Sequence, residues 1–171
     1  MYKILLRELT PQDLGNNSGY VSWLNDSEIN KYLECRHITH TLDSVRLYVQ
    51  EMLESKNNQL YGIFIEDVHV GNIKIGSIDW RYRRANIGLL IAKEYWGKGI
   101  AKEAIKKVEK IAFHDLDLHK IYAGMCAQNQ ASLKAFLSNG WRLVGKYEDH
   151  CIDETGNFVG CFLVEKVRRE T

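Results

Sequence analysis

The sequence predicts a mixed-sheet α/β domain, and three observations carry that expectation. Apolar residues fill Leu60 to Glu66 and Val70 to Trp80 with only Asp67-Val68-His69 between them, the pattern of an antiparallel hairpin. From Gly99 to His114, Ile100, Ala104, Ile105, Val108, Ile111 and Ala112 form one stripe while Lys102, Glu103, Lys106, Lys107 and Lys110 face away, the pattern of a helix laid on a sheet. Strand and helix patterns interleave along the chain, which is the order of a mixed sheet covered by helices. At 171 residues and 45% hydrophobic, the chain can bury one core and is short for two, so a single domain over 1–171 is expected.

In chain order, Lys3 to Leu9 reads as a first strand, and Pro11-Gln12-Asp13 opens a helical region that runs through Tyr20, Val21, Trp23 and Leu24. Asn25 to His40 is irregular. Thr41 is an N-cap for a helix whose Val45, Tyr48, Val49, Met52 and Leu53 share one face, ending at Lys56-Asn57-Asn58. After the hairpin, Arg81-Tyr82-Arg83 turns into a strand from Arg84 to Ile91, and the striped helix follows a glycine-rich loop. Ile121 to Cys126 is a strand and Asn129 to Asn139 a helix closed by Gly140. Trp141 to Tyr147 and Val159 to Val167 are strands joined across Asp153-Glu154-Thr155-Gly156-Asn157.

Bulk properties exclude several partners. A formal net charge of +1 gives no global field to recruit nucleic acid or an anionic membrane, so any anion site must be local. No apolar run approaches the roughly 20 residues that span a bilayer, and Met1 to Glu8 meets an acidic residue too early for a signal peptide, so a cytoplasmic protein is expected. Cys35, Cys126, Cys151 and Cys161 show neither a CxxC pair nor metal-ligand spacing and are read as reduced thiols. His37-x-x-His40 lacks a third ligand at defined spacing, so no metal is expected.

The chemistry concentrates at Tyr95-Trp96-Gly97-Lys98-Gly99-Ile100-Ala101. A strand, a glycine loop and a helix start present several unpaired backbone N–H groups in one direction, and the helix dipole adds partial positive charge there. Gly97 and Gly99 let the backbone approach a phosphate closely, so the site needs no basic patch. The loop lacks the GKS or GKT ending of a P-loop and the third glycine of the dinucleotide fingerprint.

Tyr95 to Ala101 resembles the acyl-coenzyme A pyrophosphate loop of the GNAT superfamily of N-acetyltransferases, in the form seen in ribosomal-protein N-terminal and spermidine acetyltransferases. A second segment follows in register: His119 to Ala123 as a strand, Asn129-Gln130-Ala131-Ser132 opening a helix, and Asn139-Gly140-Trp141, similar to the family's N-x-x-S…GF. Arg84-Ala85-Asn86-Ile87-Gly88 resembles the strand before the loop, and the likeness runs from Leu5 onward. The resemblance implies the GNAT acyl-CoA N-acyltransferase fold: a mostly antiparallel sheet splayed between Arg84–Ile91 and Ile121–Cys126, helices on both faces, and the pantetheine arm in the gap. It further implies that backbone groups of Leu90 and Ile91 pair with that arm, that Lys98, Gly99, Ile100, Ala101 and Lys102 surround the pyrophosphate with Trp96 and Gly97 also at the cofactor, and that Asn129 and Ser132 meet the pantetheine or the thioester end. Acetyl-CoA is the implied co-substrate, and a homodimer is a family-level expectation.

In this superfamily a primary amine attacks the thioester directly. Freeing a lysine-like amine of its proton at pH 7 costs roughly 4 to 5 kcal/mol, so a base or a proton-conducting cleft is needed. The strand around Ile91 is the expected oxyanion donor. Two common residues are replaced: Phe136 stands where many members carry a tyrosine acid, and Asn86 where many carry glutamate. Ser132 becomes the leading acid, and Glu148 or Asp149 the first base, ahead of His150, His40 and the residues expected to border the acceptor, Glu34, His37 and Asp79. Arg81 and Arg83 lie in a turn read as near the acceptor, suited to an anionic one. Trp96 and Trp141 are expected in the core. The acceptor expected is a small-molecule amine such as an amino-sugar nucleotide, consistent with Tyr122-Ala123-Gly124-Met125. A peptide N-terminus comes second and a polyamine third; a catalytically silent acyl-CoA binding module competes with all three.

Overall fold

The computed structural model describes residues 2–15 and 18–169. Strand β1 (Ile4–Glu8) is followed by a 3-10 turn at Pro11–Leu14, helix α1 (Tyr20–Asn25), helix α2 (Ser27–Asn30), a 3-10 turn at Glu34–His37, and helix α3 (Leu42–Glu54). Then come β2 (Gln59–Ile65), β3 (Val68–Asp79), β4 (Arg84–Ile91), α4 (Ile100–Lys110), β5 (Lys120–Cys126), α5 (Gln130–Leu137), β6 (Arg142–Ile152) and β7 (Phe158–Val167). The segment expected to be irregular thus holds a 3-10 turn and the one-turn helix α2, which Asp26 starts by accepting at one carboxylate oxygen from Glu28 N and Ile29 N.

The seven strands form one sheet in the order β1-β2-β3-β4-β5-β7-β6, antiparallel throughout except where β4 meets β5. That parallel contact spans only Arg84↔Lys120, Ala85↔Ile121 and Asn86↔Tyr122, after which the two strands separate. The sheet is therefore split from Ile87 and Ala123 onward, as the family resemblance implies. The split follows from the connection: α4 returns the chain to the end where β4 begins, so the parallel strands start together and diverge toward their C-terminal tips.

Each sheet face carries its own core. Beneath the split, Ile73, Ile75, Ala85, Ile87, Ile121 and Ala123 pack on Ile100, Ala104, Ile105 and Val108 of α4, with Phe136 and Trp141 in edge contact at 4.6 Å. On the other face Leu9, Tyr20, Trp23, Val45, Val49, Leu60 and Phe64 enclose the α1 and α3 side. Thr41 Oγ1 accepts from Ser44 N as the expected N-cap of α3. Glu148-Asp149-His150, expected after the sixth strand, lies inside it: β6 bulges between Tyr147 and Cys151, and Asp149 takes a positive φ of 49°.

Candidate active site

Ala92 N–H donates to Val70 C=O, and Arg83 C=O accepts from Lys120 N–H. Because backbone groups alternate along a strand, these two bonds turn the backbone of Asn86, Gly88 and Leu90 toward β3 and that of Ile87, Leu89 and Ile91 toward the gap. Of the pair expected to meet the pantetheine arm, Ile91 faces the gap, whereas Leu90 faces Asn72 across the ladder. The Ile91 carbonyl accepts from Trp96 Nε1 at 2.8 Å, which ties the strand tip to the loop. Trp96 is accordingly half-exposed beside the loop rather than in the core, whereas Trp141 is 3% exposed and bonded through Nε1 to Glu109.

Gly97 and Gly99 take φ of 72° and 78°, a conformation that a side chain disfavours. A Cβ on either would meet nothing within 4 Å, so both backbones face open space. Gly99 caps α4 without a side chain, and the first intrahelical bond runs from Glu103 N to Gly99 O. The N–H groups of Ile100, Ala101 and Lys102 are consequently left without helical acceptors, beside a depression of about 250 Å³ lined by Tyr2, Lys98, Gly99, Ile100, Lys102 and Glu103. Lys98 Nζ leans over the Tyr95 ring at 5.1 Å.

At the tip of β5, Asn129 Oδ1 accepts from Ser132 N at 3.2 Å, so Asn129 caps α5. Ser132 Oγ has no hydrogen-bond partner among the described residues and is half-buried at the open end of the split. Phe136 lies in the core, 2% exposed, and has no polar function.

A bridge of early residues roofs this open end. Glu28 pairs with Lys93 after β4 at 2.7 Å, Tyr32 Oη donates to Gln128 O after β5 at 3.3 Å, and Arg36 donates to Ile152 O at the tip of β6. Glu34 and His37 stand exposed on this bridge. His40 is fixed within it, its Nε2 against Cys35 O at 3.1 Å and its N–H on Asn25 Oδ1. Glu148 is held by Lys146 Nζ at 2.8 Å, and it and Asp149 are exposed on the outermost strand, two strands from β5.

Asp79, Arg81 and Arg83, expected near the acceptor, do not lie at the open end of the split. They lie where β4 begins and its pairing with β5 is closed, about 23 Å along β4 from Ile91 at ~3.3 Å per residue. Asp79 accepts from Tyr82 N–H and Arg84, Arg81 lies over the Tyr82 ring, and Arg83 pairs with Asp117 at 2.8 Å. Their distance from the open end was not legible because the residues before a strand carry no sign of which end its gap opens from.

Between the roof and α3, the sheet face is a trough that the sequence reading missed. Gly88 on β4 and Gly124 on β5 are both exposed on its floor, with Asn86, Leu90 and Tyr122 around them. Lys74 of β3 stands opposite Gly88, its ammonium 5.7 Å from the centre of the Tyr48 ring of α3. Burial pushes the Lys74 pKa down. Asn72 and Lys74, two apart and alternating with Ile73 and Ile75, are the available signal.

A split sheet whose open tip ends at an uncapped, glycine-flanked helix start defines an acyl-coenzyme A dependent transferase. Residues 3–142 match the acetyltransferase (GNAT) domain. The chain belongs to the GNAT family and is an acetyl-CoA-dependent N-acetyltransferase. An uncharacterized N-acetyltransferase, p20 of Bacillus licheniformis, is 27% identical over 172 residues, covering 98% of this chain and 94% of that protein. Among solved structures, spermidine N-acetyltransferase from Vibrio cholerae in complex with CoA and spermine superposes with a TM-score of 0.85 at 20% identity, covering 96% and 95% of the two chains. The ribosomal L7/L12 alpha-N-protein acetyltransferase RimL in complex with coenzyme A does so with 0.86 at 15%, covering 96% and 93%.

Among the described residues no group of three or more His, Cys, Asp or Glu is disposed to hold a metal ion, and no helix is long and apolar enough to cross a membrane.

Proposed function

We propose that the chain moves the acetyl group of acetyl-CoA to the primary amine of a small molecule by direct attack in a ternary complex. The observation that carries this reading is the roofed trough: bonds from Glu28, Tyr32 and Arg36 to residues after β4, after β5 and at the tip of β6 bound the open end of the split, which suits a compact acceptor better than a folded protein surface. The amides of Ile100, Ala101 and Lys102 take the pyrophosphate, the gap-facing edge of Ile87, Leu89 and Ile91 takes the pantetheine arm, and Ile91 N–H meets the developing oxyanion.

The amine enters from the trough side and attacks the carbonyl carbon, and the thiolate of coenzyme A leaves. Ser132 Oγ protonates the thiolate or orders the water that does. Glu34, on the roof, replaces Glu148 and Asp149 as the first acceptor of the ammonium proton, because it lies on the segment that closes over the site. An amino-sugar nucleotide keeps its support from Tyr122-Ala123-Gly124-Met125 but loses that of the arginine turn. A thiol-release assay with acetyl-CoA and a panel of small amines tests the proposal. Turnover on a small amine and none on peptide N-termini is expected; turnover on peptides alone, or coenzyme binding without any turnover, would overturn it.

A further inference from the structure

On the trough face, Lys74 is a half-buried cation with no carboxylate partner among the described residues. Its nearest aromatic partner is the face of Tyr48, a weak substitute for an anion. Register places it opposite Gly88 and diagonal to Asn86, which is paired with Gly76 one step down the same face. The Lys74 stem lies over Gly76, where a Cβ would meet its Cε at 2.9 Å and Asn58 Oδ1 at 3.3 Å, and Gly88 across the ladder offers no side chain and open space above it. Two residues along the same face, Asn72 is 4% exposed and its Nδ2 is the buried side-chain nitrogen without a partner among the described residues, while its Oδ1 is occupied by His69. Asn72 is thus enclosed in the core beside His69, which leaves Lys74 as the charged donor of this stretch, and at Asn86 the open face offers a neutral amide rather than a carboxylate.

We infer that Lys74 is a specificity-determining residue that binds an anionic group of the acceptor, so that the substrate is an amine carrying a carboxylate or phosphate close to its nucleophilic nitrogen. The inference rests on the proposed small-molecule acetylation and names the class of acceptor for that site. Physically, an unpaired ammonium drawn out of bulk water gains more from an incoming anion than an exposed one does, because the Coulomb term is less screened there. The same charge repels a polyamine, whose second ammonium would have to lie in the space beside Lys74.

The test compares the wild type with Lys74→Gln and Lys74→Arg on β-alanine, 3-aminopropyl phosphate and an amino-sugar nucleotide, with 3-amino-1-propanol and 1,3-diaminopropane as neutral and cationic controls. In Lys74→Gln, kcat/KM on the preferred anionic amine should fall about ten- to a hundredfold, the loss of a hydrogen bond to a charged group, while the neutral control is unchanged and coenzyme A affinity is kept. Lys74→Arg should restore part of the loss. The carboxylate, phosphate and nucleotide arms tell which anion the site takes. An equal loss on every amine, or a wild type that prefers the diamine, would overturn the inference. Should no amine turn over, calorimetric binding of the anionic amines to the coenzyme-saturated protein decides separately: binding lost in Lys74→Gln upholds the anion site although the catalytic reading fails, and no binding, or binding indifferent to Lys74, rejects it.

Discussion

Asn86 and Phe136 stand where many family members carry a glutamate and a tyrosine, and both replacements are built into the structure rather than incidental. Phe136 is packed edge to face on Trp141 in the core, and Asn86 lies on the trough face in register with Tyr122. In the proposed reaction, proton removal is assigned to another group. Glu148 is paired with Lys146 on the outermost strand, whereas Glu34 sits on the bridge across the open tip. Glu34→Gln is expected to lower kcat/KM about a hundredfold, while Glu148→Gln leaves it in place. Initial rates at saturating acetyl-CoA decide, and a loss confined to Glu148→Gln or Asp149→Asn would return the base to β6. Residue types were legible in the sequence, but not their neighbours: Asp79, Arg81 and Arg83 were nominated from proximity to β4 in sequence, and the structure binds them to Tyr82, Arg84 and Asp117 at its closed end.

At the scale of elements, most boundaries follow from signals that act within a few residues. Thr41 caps α3, Gly140 with a φ of 77° closes the turn after α5, and the stripe of α4 is buried where its spacing requires. The exceptions need tertiary contacts. The Tyr147–Cys151 bulge lengthens β6 through Glu148-Asp149-His150, and no local signal marks it. The 3-10 turn at Pro11–Leu14 depends on Asp13, whose carboxylate accepts from Arg7 and from the backbone and hydroxyl of Thr10. The hydrogen bond from Arg7 is the main cause holding its pKa at about 2, below the usual 3.8. Since the folded value is the lower one, the stabilisation is complete above the unfolded pKa and is lost as pH falls from about 4 through 2. Asp13→Asn should therefore destabilise the protein at neutral pH and flatten the dependence of its melting temperature between those limits. An unchanged acid slope in thermal melts would show that Asp13 is not responsible.

At the scale of the molecule, the split leaves two half-sheets joined by three residue pairs and by what packs beneath them. Helix α4 is the main brace, and its Glu109, 9% exposed, accepts from Trp141 Nε1 and from Lys166 of β7, which also donates to Asn139 O. Lys166→Met would leave that carboxylate buried with one neutral donor and should cost about 3 kcal/mol or more in denaturant unfolding. A loss below 1 kcal/mol would mean that the indole bond alone satisfies it. The fold class and the loop were legible because they rest on periodicity and on glycines, which are local. The trough with Lys74 was not, since it arises from the order in which distant strands pair. The account as a whole depends on the backbone amides at the start of α4 holding the coenzyme diphosphate. Calorimetric titration of coenzyme A into the wild type, Gly97→Val and Gly99→Val tests this most directly, with melts of the unliganded proteins as the folding control. The account predicts folded variants whose affinity is at least about tenfold weaker, a difference of some 1.4 kcal/mol. Folded variants that bind coenzyme A as tightly as the wild type would contradict it.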